Sequence, residues 1–557
     1  MKRLASLVFV LLWASEALCS TFYVSPVGSD AKPGTSSSPF GTIRKALSLA
    51  KPGDTVQMLA GIYGETVAFP RSGSASTPIT LQGQKDASGN LLTILDPSVP
   101  APAHWVLAPE IGPHVWKQGF PTIPYVLLLD GQQLLRIDDR RMAEAPGTSP
   151  WTGADNLARA SDATVPGYAD HPVGFWAGIG CLYGCRNGNV YLRFQNGDNP
   201  NGAHLRTAGI TPAISITSQS FITVQNLHVR GAAMGVSICG HADNNVIQGN
   251  LLEHGAYRVR IYKGTDGKPR NNLVRSNILT LGYRDFHDFG AWSMSGSPIG
   301  ANLMLRAQSY LNFKFLSGYQ SSNDCGVQLD YAGSGNEISG NIIRDGLVGL
   351  SIWSPNTVVH NNVIRNMSSV GIIVNPGSNG TTITRNAILN TNCNLRIGLC
   401  GEVGDMRRSI FFHDNISYLD DHVGSHIYFH TDADYSANIQ KGTARDVEVV
   451  YVRNKCAGGY SWLETDVSCT ASSYVLNNIL SSQILVLTNR ANIKNARLFA
   501  AFDFNWCGGY YWHGVQAFAG PHNVMLPYTN ADPTADYAAG DVGNRFWPAG
   551  TVPSWNW

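Results

Sequence analysis

Three aspartates and a group of aromatic rings fall within one stretch, residues 288–353, of this 557-residue chain. Asp288 opens the segment DFGAWSM, and Asp324 opens DCGVQLD, which closes on Asp330. The two segments read as copies of one strand: an Asp, a variable residue, a Gly, then a half-apolar run. Trp292, Tyr331 and Trp353 lie near these carboxylates in sequence, and His287 borders the first of them. On adjacent strands of a parallel stack, equivalent carboxylates would be about 5 Å apart. Carboxyls at about that separation can hydrolyse a glycosidic bond, one as nucleophile and one as acid/base. Like charges so close push their pKa values apart, which keeps one protonated. The rings supply flat apolar faces for the C–H side of a sugar. The bland alternative is that an Asp before Gly is a common turn residue. Stacked Asp residues are also hard oxygen ligands, so calcium is the ion this pattern admits. Acid–base hydrolysis itself requires no cofactor, and no Cys or His spacing indicates zinc.

The scaffold that must position these residues is visible as a repeat. From Ser218 onward the chain cycles through an apolar residue, two variable residues, Asn and an apolar pair, as in NVIQGNLL, NLVRSNIL, TVVHNNVI and YVLNNIL. The Asn stand at positions 226, 250, 277, 341, 362, 386, 415, 454 and 478, and several intervals are 21 to 27 residues. A period in that range, built from short β-rich units, is the signature of a solenoid. Val and Ile dominate and leucine-rich spacing is absent, which favours coils of three short strands. The recurring Asn suits an inward turn position, where side-chain amides bond to the coils above and below. The gap between Asn277 and Asn341 is too long for one coil, and SYLNFKF offers Asn312 as a missing member. In that register Asp288 and Asp324 occupy equivalent places on adjacent coils. Asp330, aligned by the frame GVQLD, GLSIW, GIIVN, stacks with Trp353 and Asn375. On the coil just before Asp288, RVRIYKG offers Arg258, Arg260 and Lys263, cations that could serve a proton-abstracting enzyme or simply form a solvated strand end.

Forty Lys and Arg balance 39 Asp and Glu, which argues against a general nucleic-acid or membrane-surface binder. The expected partner is a carbohydrate substrate, with no nucleic acid, no membrane and a monomeric chain. Lys2 and Arg3, the apolar run Leu4–Trp13 and the small-x-small Ala17-Leu18-Cys19 read as a signal peptide over residues 1–19. A secreted or periplasmic chain may form disulfides, and Cys181/Cys185, Cys393/Cys400, and Cys456 with Cys469 or Cys507 are spaced for local bridges. Cys239 and Cys325 sit in strand-like runs and read as buried thiols.

After the signal, TFYVSPVGSDAKPGTSSSPFGTIRKALSLAKPGDTVQMLAGIYGETV reads as a strand, a loop, a short amphipathic helix and two more strands. A helix there covers the open end of a β stack. This segment resembles the N-terminal cap of secreted right-handed parallel β-helix proteins, in which YVSxxGSDxxPGTxxxPFxTI and PGDTVxxxxGxYxExV recur. The resemblance implies an all-β, right-handed parallel β-helix (a solenoid) with an N-terminal capping helix. Cap and first coils are expected over 20–96, a small inserted β domain over 97–206, the main β-helix over 207–490 and a C-terminal cap over 491–557. The insert, with VLLLDGQQLLRIDD and GNVYLRF, loosely resembles one found in several β-helix glycosidases. DCGVQLDYAGSGNEISGNII resembles the catalytic strand region of β-helix glycoside hydrolases of the β-xylosidase and fucosidase kind. That likeness implies Asp324 and Asp330 as acid or nucleophile, with Asp288 as partner. Those enzymes often carry a double acid where this chain has Asp330-Tyr331. Trp292, Tyr331, Trp353, His287, Arg260 and Lys263 are the expected substrate-binding groups. The chain is less closely similar to polysaccharide lyases of the chondroitinase B type, in which Lys or Arg acts as base with calcium. A non-catalytic carbohydrate-binding β-helix is the third reading.

Overall fold

A computed structural model describes residues 19–136, 182–280 and 325–525, apart from interruptions of which the longest are 431–446 and 509–523. Its strands stack in parallel, each on the strand one coil earlier. Thus Leu251–Glu253 pairs with Ile278–Thr280, and Tyr257–Tyr262 pairs with Cys325–Asp330. A 13-stranded sheet runs along one side from Thr21–Val24 to Phe499–Asp503. Inward residues alternate with outward ones, and stacked Val, Leu and Ile (Val224, Ile247, Val274, Ile338) form one continuous core running the length of the described coils.

Between Asn244 and Asn386 two corners of the successive coils share one device: a residue in the left-handed region followed by a buried polar residue. At one corner Gly249, Ser276, Gly340, Asn361 and Arg385 have φ between 54° and 63°. The Asn that follows each of them is buried. Each ladder Asn accepts, on Oδ1, the backbone N–H of its counterpart one coil earlier, in an unbroken series from Asn250 to Asn505. At the second corner Asn245, Asn272 and Asn336 form a shorter ladder of the same kind. Turn amides that would otherwise be buried without partners are satisfied this way.

Two register expectations change. Asn226 is itself the left-handed residue (φ 59°), and Leu227 holds the ladder position, donating its N–H to Asn250. More consequentially, Asn277 donates directly to Asn341, N to Oδ1 and Nδ2 to Oδ1 at 3.0 Å each. The ladder passes from Asn277 to Asn341 with no member between them, and Asn312 lies outside the described residues. The strands Ile278–Thr280 and Cys325–Asp330 are thus consecutive in the stack; one coil earlier three residues connect Leu251–Glu253 to Tyr257–Tyr262.

At the N-terminus the helix Ile43–Leu49 buries Ile43, Ala46 and Leu47. Thr42 caps it, and Glu65 accepts the Ile43 and Arg44 amides, which explains the acid in GIYGETV. Between the coil strands Thr93–Leu95 and Pro212–Thr217 the chain forms a four-stranded antiparallel sheet and a five-stranded mixed sheet, in which Leu135–Arg136 runs parallel to Leu182–Arg186, with a separate core that includes Trp105, Leu127, Leu192 and Phe194. Among the described residues no helix is long and apolar enough to cross a membrane.

The expected disulfides are not found among the described residues. Cys456 is a buried thiol that meets Tyr451 Oη at 2.9 Å, and burial pushes its pKa up to about 12. In register, Cys456 stacks on Leu480 and Leu480 on Cys507. Two strand spacings, roughly 9.6 Å, exceed what a disulfide spans. Cys181, Cys400 and Cys469 lie outside the described residues. Cys239 and Cys325 are buried in strands, as expected.

Candidate active site

The strand Tyr257–Tyr262 alternates in the way YRVRIY dictates: Val259 and Ile261 enter the core while Arg260 and Tyr262 face out. One coil later, Gln328 stacks on Arg260 and Asp330 on Tyr262. The Arg260 guanidinium lies between two rings, 4.8 Å from the centroid of Tyr257 and 4.6 Å from that of Tyr262. From there its Nη2 donates diagonally across the coil to Asp330 Oδ2 at 2.5 Å. Both side chains are about one-quarter exposed. Burial opposes the charge on Arg260, but Tyr257 and the Asp330 carboxylate outweigh it, and its pKa lies above the ordinary value. Burial is the main cause that raises the Tyr262 hydroxyl, whose near neighbours are Ser237 and Cys239.

The GVQLD, GLSIW, GIIVN frame holds in three dimensions. Val327, Leu350 and Ile372 stack, and the Trp353 and Asn375 amides bond to Leu329 and Ile352, so Asp330, Trp353 and Asn375 form one outward column. Its glycines are required by close approach: a Cβ on Gly326 would meet Gly349 O at 2.6 Å, and one on Gly349 would meet Gly371 O at 2.4 Å. Tyr331 leaves the strand in the left-handed region (φ 51°), which sets its ring against Trp353 with centroids 5.5 Å apart. Asn375 donates to Ser351 Oγ at 3.3 Å. Lys263 enters through its backbone N–H, which bonds to Asp330 O at 3.0 Å.

The structure therefore brings together Arg260, Asp330, Tyr331 and Trp353, with Lys263 alongside. Asp288, Trp292, His287 and Asp324 lie outside the described residues. The separation of about one strand spacing expected for Asp288 and Asp324 no longer has a basis, because it depended on Asn312. Tyr257 and Tyr262, which hold Arg260, are site residues that no motif in the sequence singles out. Period-two alternation in YRVRIY would have put Tyr262 on the Arg260 face. The register against Asp330 is a tertiary fact.

Residues 212–388 match the family model described as right handed beta helix region. The chain is a right-handed parallel β-helix. In this β-helix, residues 27–102 also match DUF1565, described as a protein of unknown function. Over 64 residues it is 41% identical to the uncharacterized protein YwoF of Bacillus subtilis (strain 168), a match covering 12% of this chain and 14% of that one. Among solved structures, the complex of XylC with xylose is 15% identical, covering 88% of this chain and 68% of that chain with a TM-score of 0.40. A structure described as a glycoside hydrolase is 10% identical, covering 92% and 98%, with a TM-score of 0.41. A rhamnogalacturonan lyase is 13% identical, covering 86% and 85%, with a TM-score of 0.37.

Proposed function

We propose that the β-helix is an exported, monomeric carbohydrate-active enzyme that hydrolyses glycosidic bonds, with Asp330 as a working carboxylate. The observation that carries this reading is the outward carboxylate of Asp330, bonded to Arg260 and beside the paired rings of Tyr331 and Trp353. A sugar packed on those rings lies next to a carboxylate whose partner is a fixed cation. An oxocarbenium-like transition state places positive charge at the anomeric carbon, and a carboxylate held there stabilises it or attacks it. The proton for the leaving oxygen comes from a second carboxyl, for which Asp324 and Asp288 are the candidates. No cofactor is needed for this chemistry.

Assaying aryl glycosides beside uronate polymers tests the proposal. Hydrolysis should release reducing ends, generate no unsaturated-uronate absorbance and survive EDTA. Asp330→Asn should lower kcat/KM by a factor on the order of 10² to 10³, and near-normal turnover in that variant sinks the proposal. The Arg260 cation also favours a second reading, a lyase that neutralises a uronate carboxylate. That enzyme would generate the unsaturated product and lose activity in EDTA if calcium assists. Glycan affinity without turnover, unchanged in Asp330→Asn, would point to a binding module.

A further inference from the structure

The two small sheets inserted between Thr93–Leu95 and Pro212–Thr217 meet the coils close to Arg260. Gln133, 7% exposed, accepts the Gly255 N–H on Oε1 at 2.7 Å. Gly255 has φ 76°, and a Cβ there would meet Ala232 O at 2.2 Å and Ala233 O at 2.4 Å. The insert thus bonds to a backbone position that only glycine can occupy. The carbonyl of the same residue accepts from Arg258 Nη1 at 3.0 Å. Two residues on, Tyr257 belongs to an apolar cluster with Met234, Ala256 and Cys325, and Tyr125 of the insert packs against that cluster. Val126 and Leu128, on the strand that follows Tyr125, are buried against Ala233. Tyr257 is in turn one of the two rings that hold the Arg260 guanidinium.

We infer that the inserted β unit is a working wall of the site, with Gln133 and Tyr125 acting as positioning residues that fix Tyr257 and, through it, the direction in which Arg260 meets Asp330. The insert touches the strand Tyr257–Tyr262 at its first residues, while Arg260 acts from its outward face three residues later. A buried acceptor on Gly255 N and a ring against the cluster that contains Tyr257 remove two freedoms from the start of that strand. An arginine stacked between two rings keeps its heading only while both rings stay in place. As a statement about catalysis this rests on the proposed function. As a statement about geometry it is tested without any substrate.

The test is arginine labelling with phenylglyoxal, mapped by peptide mass spectrometry on the full chain. Arg453, 58% exposed in its side chain, serves as the internal reference. Gln133→Leu removes the acceptor at similar volume, and Tyr125→Ala removes the ring. Each should raise the labelling rate of Arg260 relative to Arg453 by about five-fold or more, about 1 kcal/mol of lost restraint. Gln133→Glu keeps an acceptor on Gly255 and should label as the parent protein does. Unchanged Arg260 labelling in both Gln133→Leu and Tyr125→Ala overturns the inference. So does equal acceleration in Gln133→Leu and Gln133→Glu, because the acceptor would then be irrelevant. A variant that merely unfolds would also expose Arg258, which is 2% exposed in the fold, so Arg258 must stay unlabelled for the inference to stand. Failure of the hydrolase reading appears elsewhere, as full turnover in Asp330→Asn while the Gln133 and Tyr125 variants label as expected.

Discussion

Arg260 and Asp330 sit on adjacent coils, two positions out of register, and meet at 2.5 Å between Nη2 and Oδ2. The contact is diagonal: direct stacking would pair Arg260 with Gln328 and Asp330 with Tyr262. Removing one member leaves the other half-buried and unpaired, which costs more than the pair is worth. Arg260→Met and Asp330→Asn should each lower kcat/KM by about 10²-fold on whichever glycoside is turned over. The double variant should be scarcely worse than either single one, since the two act as a unit. Additive losses in a double-mutant cycle would contradict that coupling.

The ladder predicts where the solenoid is intolerant. Asn362 accepts from Asn341 N and Nδ2, both at 2.9 Å, and donates to Asn386 Oδ1 at 3.0 Å and Ile338 O at 2.9 Å, all in buried surroundings. Asn362→Leu keeps the volume but orphans donors and acceptors on both neighbouring coils. A loss of roughly 3 kcal/mol is expected, read as a lower urea midpoint. Val358→Thr, on the outward face at 37% exposure, is the control and should change little.

His254 predicts an acid-sensitive window. It is 2% exposed, and its Nδ1 accepts the Gly231 N–H at 3.2 Å. Burial lowers its pKa from 6.5 to about 4, against the opposing pull of Glu253 and Asp96 and with the support of Arg230 and His228. Between those values the unfolded chain binds a proton that the folded chain does not, so stability falls as pH drops from 6.5 toward 4. The full effect is about 3 kcal/mol. Urea midpoints at pH 7 and pH 4.5 measure it. In His254→Gln the difference between the two should shrink, and an undiminished difference would contradict the assignment.

The start of the first coil predicts the mature N-terminus. Ser20 N donates to Asp54 Oδ1 at 2.7 Å, while Lys51 N occupies the other oxygen at 2.8 Å, and Asp54 is 5% exposed. Cleavage after Cys19, proposed with export, converts the Ser20 nitrogen to an ammonium facing that buried carboxylate. N-terminal sequencing of the exported protein should begin at Ser20. Asp54→Asn should then destabilise the processed chain by about 1–3 kcal/mol. A first residue elsewhere removes the basis for the pair.

The coil fold was legible in the chain because it is written as local chemistry repeated many times: a left-handed residue, a buried Asn and a short Val/Ile strand. The Gly-x-x-apolar frame was enough to stack Asp330 with Trp353 and Asn375. Where the repeat is interrupted, counting failed. Nothing local in SYLNFKF distinguishes Asn312 from a ladder member, and only the direct bond between Asn277 and Asn341 shows that these two are neighbours on the ladder. The pairing of Cys456 with Cys507 failed for a related reason. Sequence proximity says nothing about the number of coil rises between two side chains, and Cys456 and Cys507 are two apart. Sequence alone determined the architecture and the outward face. The tertiary structure decided the partners, namely Arg260 with Asp330, Tyr257 with Tyr262 around the guanidinium, and Gln133 on Gly255. A repeat sets which residues face outward, but long-range pairing depends on registers and insertions that no local preference encodes.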